Sequence, residues 1–237
     1  MNDDVLAGGT SRMGRTPGMW AALRRWQASS VIAWTAGGYA AAAVTGILFA
    51  LMLRGTGDWA TGLPWERDLL LATHVTLPPV LDAAMLVLPW LGTNITLLPL
   101  TLAAAAWLLL VRRRADLAAH LVVVEVGAWT LVPILKELFQ RPRPELWEWR
   151  GQFAWSSYPS GHAITSTAVL LTVAILLRRE RGWTWPAWLL VALIAVSLYS
   201  RIYLGVHWPT DLIGGVLVGL VWLIATLRAF RPPLHPG

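Results

Sequence analysis

The chain has no cysteine, a single lysine and few charges of either sign. Without cysteine there is no disulfide and no thiolate metal site, and the absence says nothing about compartment. Charged residues make up 14% of the 237 positions, against roughly 25% in soluble globular proteins. Hydrophobic residues reach 56%, and mean hydropathy is +0.56. This scarcity of charge argues against a soluble enzyme, a disordered chain and a basic nucleic-acid-binding domain. The net charge of +6 reads, in so apolar a chain, as membrane topology. No internal repeat and no long polar linker is visible.

What is present is a series of apolar runs. About 20 apolar residues at 1.5 Å rise cross the hydrocarbon core. Six runs qualify, near Val31–Leu53, Gly92–Val111, Leu117–Ile134, Gly161–Leu177, Thr184–Leu198 and Pro209–Leu227. The expected fold is therefore all-α, a polytopic bundle of six transmembrane helices. Residues 1–30 read as an N-terminal tail, 31–228 as the membrane domain with its core at 117–227, and 229–237 as a C-terminal tail. The stretch Leu69–Leu91 is apolar but holds His74, Pro78, Pro79 and Asp82. It is expected to form one or two interfacial segments between the first two spans.

Cations set the sidedness. Six spans place 12 of the 19 on one side, among them Arg12, Arg15, Arg24, Arg25, Arg112, Arg113 and Arg114. The positive-inside rule makes that side cytoplasmic, with both termini inside. Most of the 16 Trp fall near expected span ends, including Trp20, Trp26, Trp155, Trp208 and Trp222, as interfacial belts require.

Two outer segments concentrate polar side chains. One runs from Lys136 through Arg143-Pro144 to Pro159-Ser160-Gly161-His162. The other runs from Ser200-Arg201 through His207 to Asp211. Lys136, Arg143 and Arg201 would offer three cations to an anionic ligand such as a phosphate. Ser160 is a preferred N-cap type, and Gly161 lets a ligand approach the free N–H groups of a helix start. Asp211, four residues after His207, could accept from one ring nitrogen and leave the other as nucleophile or base. An ordinary helix cap and a structural His–Asp pair are the plainer readings of these two segments. A metal fits poorly beside three cations.

Read together and in order, these segments resemble the type 2 phosphatidic acid phosphatase superfamily. The pattern is Lys, six residues, Arg-Pro; then Pro-Ser-Gly-His; then Ser-Arg, five residues, His, three residues, Asp. No motif position departs from it. The resemblance implies that His207 attacks phosphorus and forms a phosphohistidine, that Asp211 orients His207, and that His162 protonates the leaving oxygen and then activates water. It implies that Lys136, Arg143, Arg201, Ser160 and the Gly161 N–H hold the phosphoryl oxygens. No metal or other cofactor is expected, because the cations fill the role of Mg²⁺ in other phosphoryl-transfer enzymes.

The implied activity is hydrolysis of the terminal phosphate of a lipid phosphate or diphosphate at the outer surface. Undecaprenyl diphosphate is slightly favoured over phosphatidic acid and phosphatidylglycerol phosphate, since the motifs read phosphate and not tail. Expected partners are the lipid substrate and membrane lipids, with no nucleic acid and no obligate protein. A soluble vanadate-dependent haloperoxidase is a poor fit to six spans. A lipid phosphotransferase and a non-enzymatic lipid-binding protein stay open as alternatives. Glu125 and His120 lie within the third expected span. Glu125 is expected to point into the bundle, and His120 to sit near the inner headgroups.

Overall fold

A computed structural model describes residues 28–150 and 156–231. The tails, with Arg12, Arg15, Arg24, Arg25, Trp20 and Trp26, and Trp155 lie outside the described residues. The described residues form helices and connecting segments with no strand among them. The helices are α1 (Ala28–Arg54), α2 (Pro64–Thr73), α3 (Pro79–Val87), α4 (Asn94–Leu110) and α5 (Ala115–Phe139). They continue as α6 (Gly161–Arg181), α7 (Trp185–Tyr203) and α8 (Pro209–Ala229).

Five of these, α1, α5, α6, α7 and α8, are each long and apolar enough to cross a membrane. The sixth span exists only if Pro79–Gly92 and α4 count as one helix bent by 47°. Alone, the 17 residues of α4 fall just short of a straight crossing. The expected second span is thus a broken one. A 3-10 turn, Leu88–Gly92, joins its two parts. With 10 and 9 residues, α2 and α3 rise only about 15 Å each. That is half the hydrocarbon thickness, so neither crosses it alone. Helix α2 buries Glu66 and Leu70 and exposes Trp65, Leu69 and Leu71.

Small residues set the packing. In a bilayer helices associate through close backbone approach, because lipid tails are as apolar as the side chains. A Cβ on Gly38 would lie 2.1 Å from that of Ala225, so glycine is what lets α1 seat on α8. A Cβ on Gly215 would lie 2.8 Å from the Ser160 carbonyl oxygen. That contact sets the start of α6 directly against α8 and fixes the geometry described below. Within α6 a π turn, Ser166–Leu170, interrupts the α-helical pattern.

Two tryptophans depart from the belt pattern. Trp222 is 1% exposed, with Gly127 against its ring and its Nε1–H donating to the Val124 carbonyl at 2.9 Å. Trp208 is also buried and donates to the Pro142 carbonyl at 3.0 Å. Each indole N–H finds a partner inside the protein, so neither ring needs the headgroup region. Trp34, Trp65, Trp107 and Trp188 remain on the surface. Glu125 does point inward, accepting from Thr101 Oγ1 at 3.4 Å. His120 is buried in protein, stacked on Phe230 at 4.8 Å.

Candidate active site

The C-terminal ends of α5 and α7 and the N-terminal ends of α6 and α8 converge, and the three sequence segments meet there. Left-handed Gln140 (φ 48°) closes α5 and turns the chain into Arg141–Pro144. Helix α8 starts at Pro209, and the Asp211 carboxylate accepts the Trp208 N–H at 2.8 Å, capping the first turn. This cap anchors Asp211 next to the loop that carries His207.

His207 is almost fully buried. Its Nε2 lies 3.2 Å from Arg143 Nη1, and its Nδ1 lies 3.6 Å from Asp211 Oδ2 and 3.5 Å from Ser157 Oγ. A guanidinium has donors only, so this contact assigns the lone pair to Nε2 and the proton to Nδ1. The nitrogen with the lone pair therefore faces the cations, and the protonated one faces the carboxylate. Burial pushes the His207 pKa well below its ordinary value, and the charges of Arg143, Lys136, His162 and Arg201 push it further. Four residues from the three segments thus act on one ring and disfavour its charged form.

Backbone carbonyls orient two of the three cations. Lys136 Nζ donates to the Ser156 carbonyl, and Arg143 Nη1 also donates to the Val206 carbonyl. Burial lowers the Arg143 pKa to about 10, partly offset by the Asp211 charge. Arg201 is buried, and its Nε donates to Ser200 Oγ at 3.2 Å. Ser160 departs from expectation. It precedes α6, but its side chain caps nothing, and its buried Oγ has no hydrogen-bond partner among the described residues. Its own N–H is taken by the Asp211 carbonyl at 3.1 Å. His162 borders a cleft of about 170 Å³ with Thr93, Asn94, Val132, Gly161 and Thr165, which opens between α4 and α6.

The expected direct hydrogen bond from His207 to Asp211 is replaced by a looser contact with Ser157 beside it. Ser157 Oγ donates to Asp211 Oδ2 and faces His207 Nδ1. Sequence reasoning missed Ser157, and it missed Arg141 and Glu66. Arg141 Nη1 donates to Asp211 Oδ1 at 2.7 Å, and its Nη2 donates to Glu66 Oε2 at 3.1 Å. The doubled Arg-Pro at 141–144 was the available signal for Arg141. Nothing local marked Glu66 or Ser157. Among the described residues no group of three or more His, Asp or Glu side chains is placed to hold a metal ion. The converging donor set is cationic and suits a polyanion.

This arrangement has counterparts in known proteins. The PAP2 superfamily model matches residues 116–233. A phosphatidylglycerophosphatase B of Bacillus subtilis (strain 168) is 30% identical over 60% of this chain and 72% of its own length. The chain belongs to the PAP2 superfamily. Within this superfamily, YbjG of Escherichia coli (strain K12), a candidate undecaprenyl-diphosphatase, is 35% identical over 54% of this chain. The match spans 63% of that protein's length. Among solved structures, the transmembrane PAP2-type phosphatidylglycerolphosphate phosphatase of Bacillus subtilis superposes with a TM-score of 0.67 at 25% identity. It covers 78% of this chain and 93% of that one. Apolar helices of spanning length and membrane-embedded PAP2 neighbours make this a multi-pass membrane protein.

Proposed function

We propose that this PAP2 protein is a lipid phosphate phosphatase that works through a phosphohistidine on His207. The observation that carries the reading is the orientation of His207, with an unprotonated Nε2 turned toward Arg143 and Nδ1 backed by Asp211. A binding site alone has no need of a neutral nucleophile at that position.

In the first step the Nε2 lone pair attacks phosphorus, and Arg143 moves from the ring nitrogen onto a phosphoryl oxygen. Lys136, Arg143 and Arg201 hold the oxygens, where fixed donors favour the charge-rich transition state over the ground state. Ser160 Oγ and the Gly161 N–H are the expected neighbouring donors. The bond from phosphorus to the leaving oxygen breaks, and that oxygen takes a proton from His162. Asp211 stabilises the positive charge that His207 acquires. In the second step His162 takes a proton from water, the hydroxide attacks phosphorus, and inorganic phosphate leaves with His207 restored. The leaving group is a lipid alcohol for a monophosphate and a lipid monophosphate for a diphosphate. No step needs a metal.

The cleft beside His162 and the apolar surfaces around the site suit a headgroup presented from the bilayer. We favour undecaprenyl diphosphate slightly. Phosphatidic acid or phosphatidylglycerol phosphate hydrolysis is the second reading, supported by the likeness to the Bacillus subtilis phosphatases. We read the site as external and both termini as cytoplasmic, a sidedness supported by the distribution of Arg and Lys along the sequence.

The test is phosphate release by detergent-purified protein in EDTA, with the three lipids compared side by side and His207→Ala as control. Loss of turnover in the variant, and a labelled phosphoryl group trapped on His207, are the expected results. Release that persists in His207→Ala overturns the mechanism. A reporter fused at the C-terminus should read cytoplasmic and one near Trp149 should read external, and the reverse pattern overturns the sidedness.

A further inference from the structure

Behind Asp211 lies a second carboxylate that the reaction as described does not use. Glu66 sits on α2, outside the region matched by the superfamily model, and is 0% exposed. Its Oε1 accepts from the Thr210 N–H at 2.9 Å and from Thr210 Oγ1 at 2.6 Å. Its Oε2 accepts from the Leu63 N–H at 2.8 Å and from Arg141 Nη2 at 3.1 Å. One side chain therefore ties together the start of α2, the loop after α5 and the first turn of α8.

Arg141 is the hub of the same cluster. It is 1% exposed and lies against the rings of Trp59 and Trp208. Nε donates to the Trp59 carbonyl at 2.9 Å, Nη1 to Thr210 Oγ1 and Asp211 Oδ1, each at 2.7 Å, and Nη2 to Glu66. Asp211 Oδ1 thus meets Arg141, while Oδ2 meets the Trp208 N–H, Ser157 Oγ and the Nδ1 edge of His207.

Burying charges this completely is costly unless every one is paired and hydrogen-bonded, and here each is. The pairing has a chemical consequence. Arg141 and Asp211 alone would be neutral together, and Asp211 would have little net charge to offer an imidazolium. Glu66 makes the cluster net negative by one, facing a ring surrounded by Lys136, Arg143, His162 and Arg201.

We infer that Glu66 is a positioning residue for the hydrolysis: through Arg141 and Thr210 it fixes the Asp211 carboxylate against His207 and supplies the negative charge that Arg141 would otherwise cancel. The inference rests on the proposed phosphatase reading. It acts on the step in which His207 becomes cationic, and it leaves the phosphate-holding cations unchanged.

The experiment uses the full chain in detergent, as wild type, Glu66→Gln and Glu66→Asp. Turnover of dioctanoyl phosphatidic acid, competitive inhibition by inorganic phosphate, and thermal unfolding are measured on each. For Glu66→Gln, kcat should fall about 100-fold, the scale expected when a reacting group is displaced by about 1 Å. KM and the phosphate inhibition constant should stay within about threefold, since a group acting only in the transition state moves kcat alone. Glu66→Asp, which keeps the charge, should recover much of the lost kcat. A folded Glu66→Gln protein with wild-type kcat overturns the inference and leaves Glu66 as a dock for α2, whatever the change in unfolding temperature. So does a loss shared in proportion by KM and phosphate inhibition, which places the effect in the cation pocket. If Glu66→Gln does not accumulate, Arg141→Lys is measured in its place. It keeps the charge but cannot span the same acceptors, and the same pattern of kcat, KM and phosphate inhibition decides. A wild type inactive on every lipid phosphate tried overturns the parent reading, before any variant is compared.

Discussion

Two arginines at opposite ends of α5 are shifted in opposite directions. Arg114, just before the helix, pairs with Asp116 at 2.9 Å and with Glu180 at 2.7 Å. Its hydrogen bonds to those carboxylates, Asp116 foremost, hold its pKa above the ordinary value. Arg143, just beyond the other end, is buried, and burial loosens its proton toward about 10, partly offset by the Asp211 charge. The Arg114 side chain is 39% exposed, whereas Arg143 as a residue is 6% exposed. The first arrangement satisfies a charge at a surface where water would have done nearly as well. The second sets a charge in the protein interior beside His207 Nε2, where a fixed donor counts for more than at a water-exposed surface. Stability and function are thus separated along one helix.

The sharpest way to break this comparison is at the prepared end. His207→Ala should remove hydrolysis down to background, a loss of about 10⁴-fold or more for a nucleophile, while the protein stays folded in a melting assay. Hydrolysis that persists in that variant would mean that His207 is not the nucleophile. Arg143→Ala should lower kcat by about 10²- to 10³-fold, the scale for one donor to a charged transition state, as read from steady-state rates.

The pH dependence is milder. Substrate binding should weaken as pH rises through about 10, where Arg143 gives up its proton, and KM measured from pH 8 to 11 checks this. His207 works in the other direction. Its folded pKa is depressed, so the unfolded chain binds the extra proton first, and stability should decline as pH falls below 6.5. NMR of labelled histidine should find the His207 ring neutral at pH 7 in the substrate-free protein. The smallest effect belongs to the other end of α5. Arg114→Ala should cost at most about 1 kcal/mol of stability, as exposed ion pairs do, with no change in turnover. An equal loss of activity from Arg114→Ala and Arg143→Ala would erase the distinction.

The contrast also marks how much could be read from residues alone. Arg143 was legible because six residues separate it from Lys136 in a recognisable spacing, and because α5 delivers both to one end. The spans were legible because crossing hydrocarbon demands long apolar runs. Arg114 could be assigned to a side but not to Glu180, since an ion pair 66 residues apart leaves no local trace. Ser157 and Glu66 were illegible for the same reason. Ser157 reaches Asp211 across 54 residues and Glu66 reaches Arg141 across 75. The second span reads as Gly92–Val111, yet its helix reaches crossing length only with Pro79–Gly92 across a 47° bend, because hydropathy does not encode how two short helices join.

The sequence by itself determined a membrane helix bundle, its superfamily, and the identity of the lysine, arginines, histidines and aspartate that gather at one end. Those are properties of composition, run length and short spacing, which are local. Tertiary structure alone decided which nitrogen of His207 faces the cations, that Ser157 stands beside Asp211, and that Glu66 and Arg141 complete the charge behind it. Each of these depends on helix ends brought within about 3 Å, the range of a hydrogen bond. That approach is fixed by glycines where α8 meets α1 and α6, and no spacing along the chain records it.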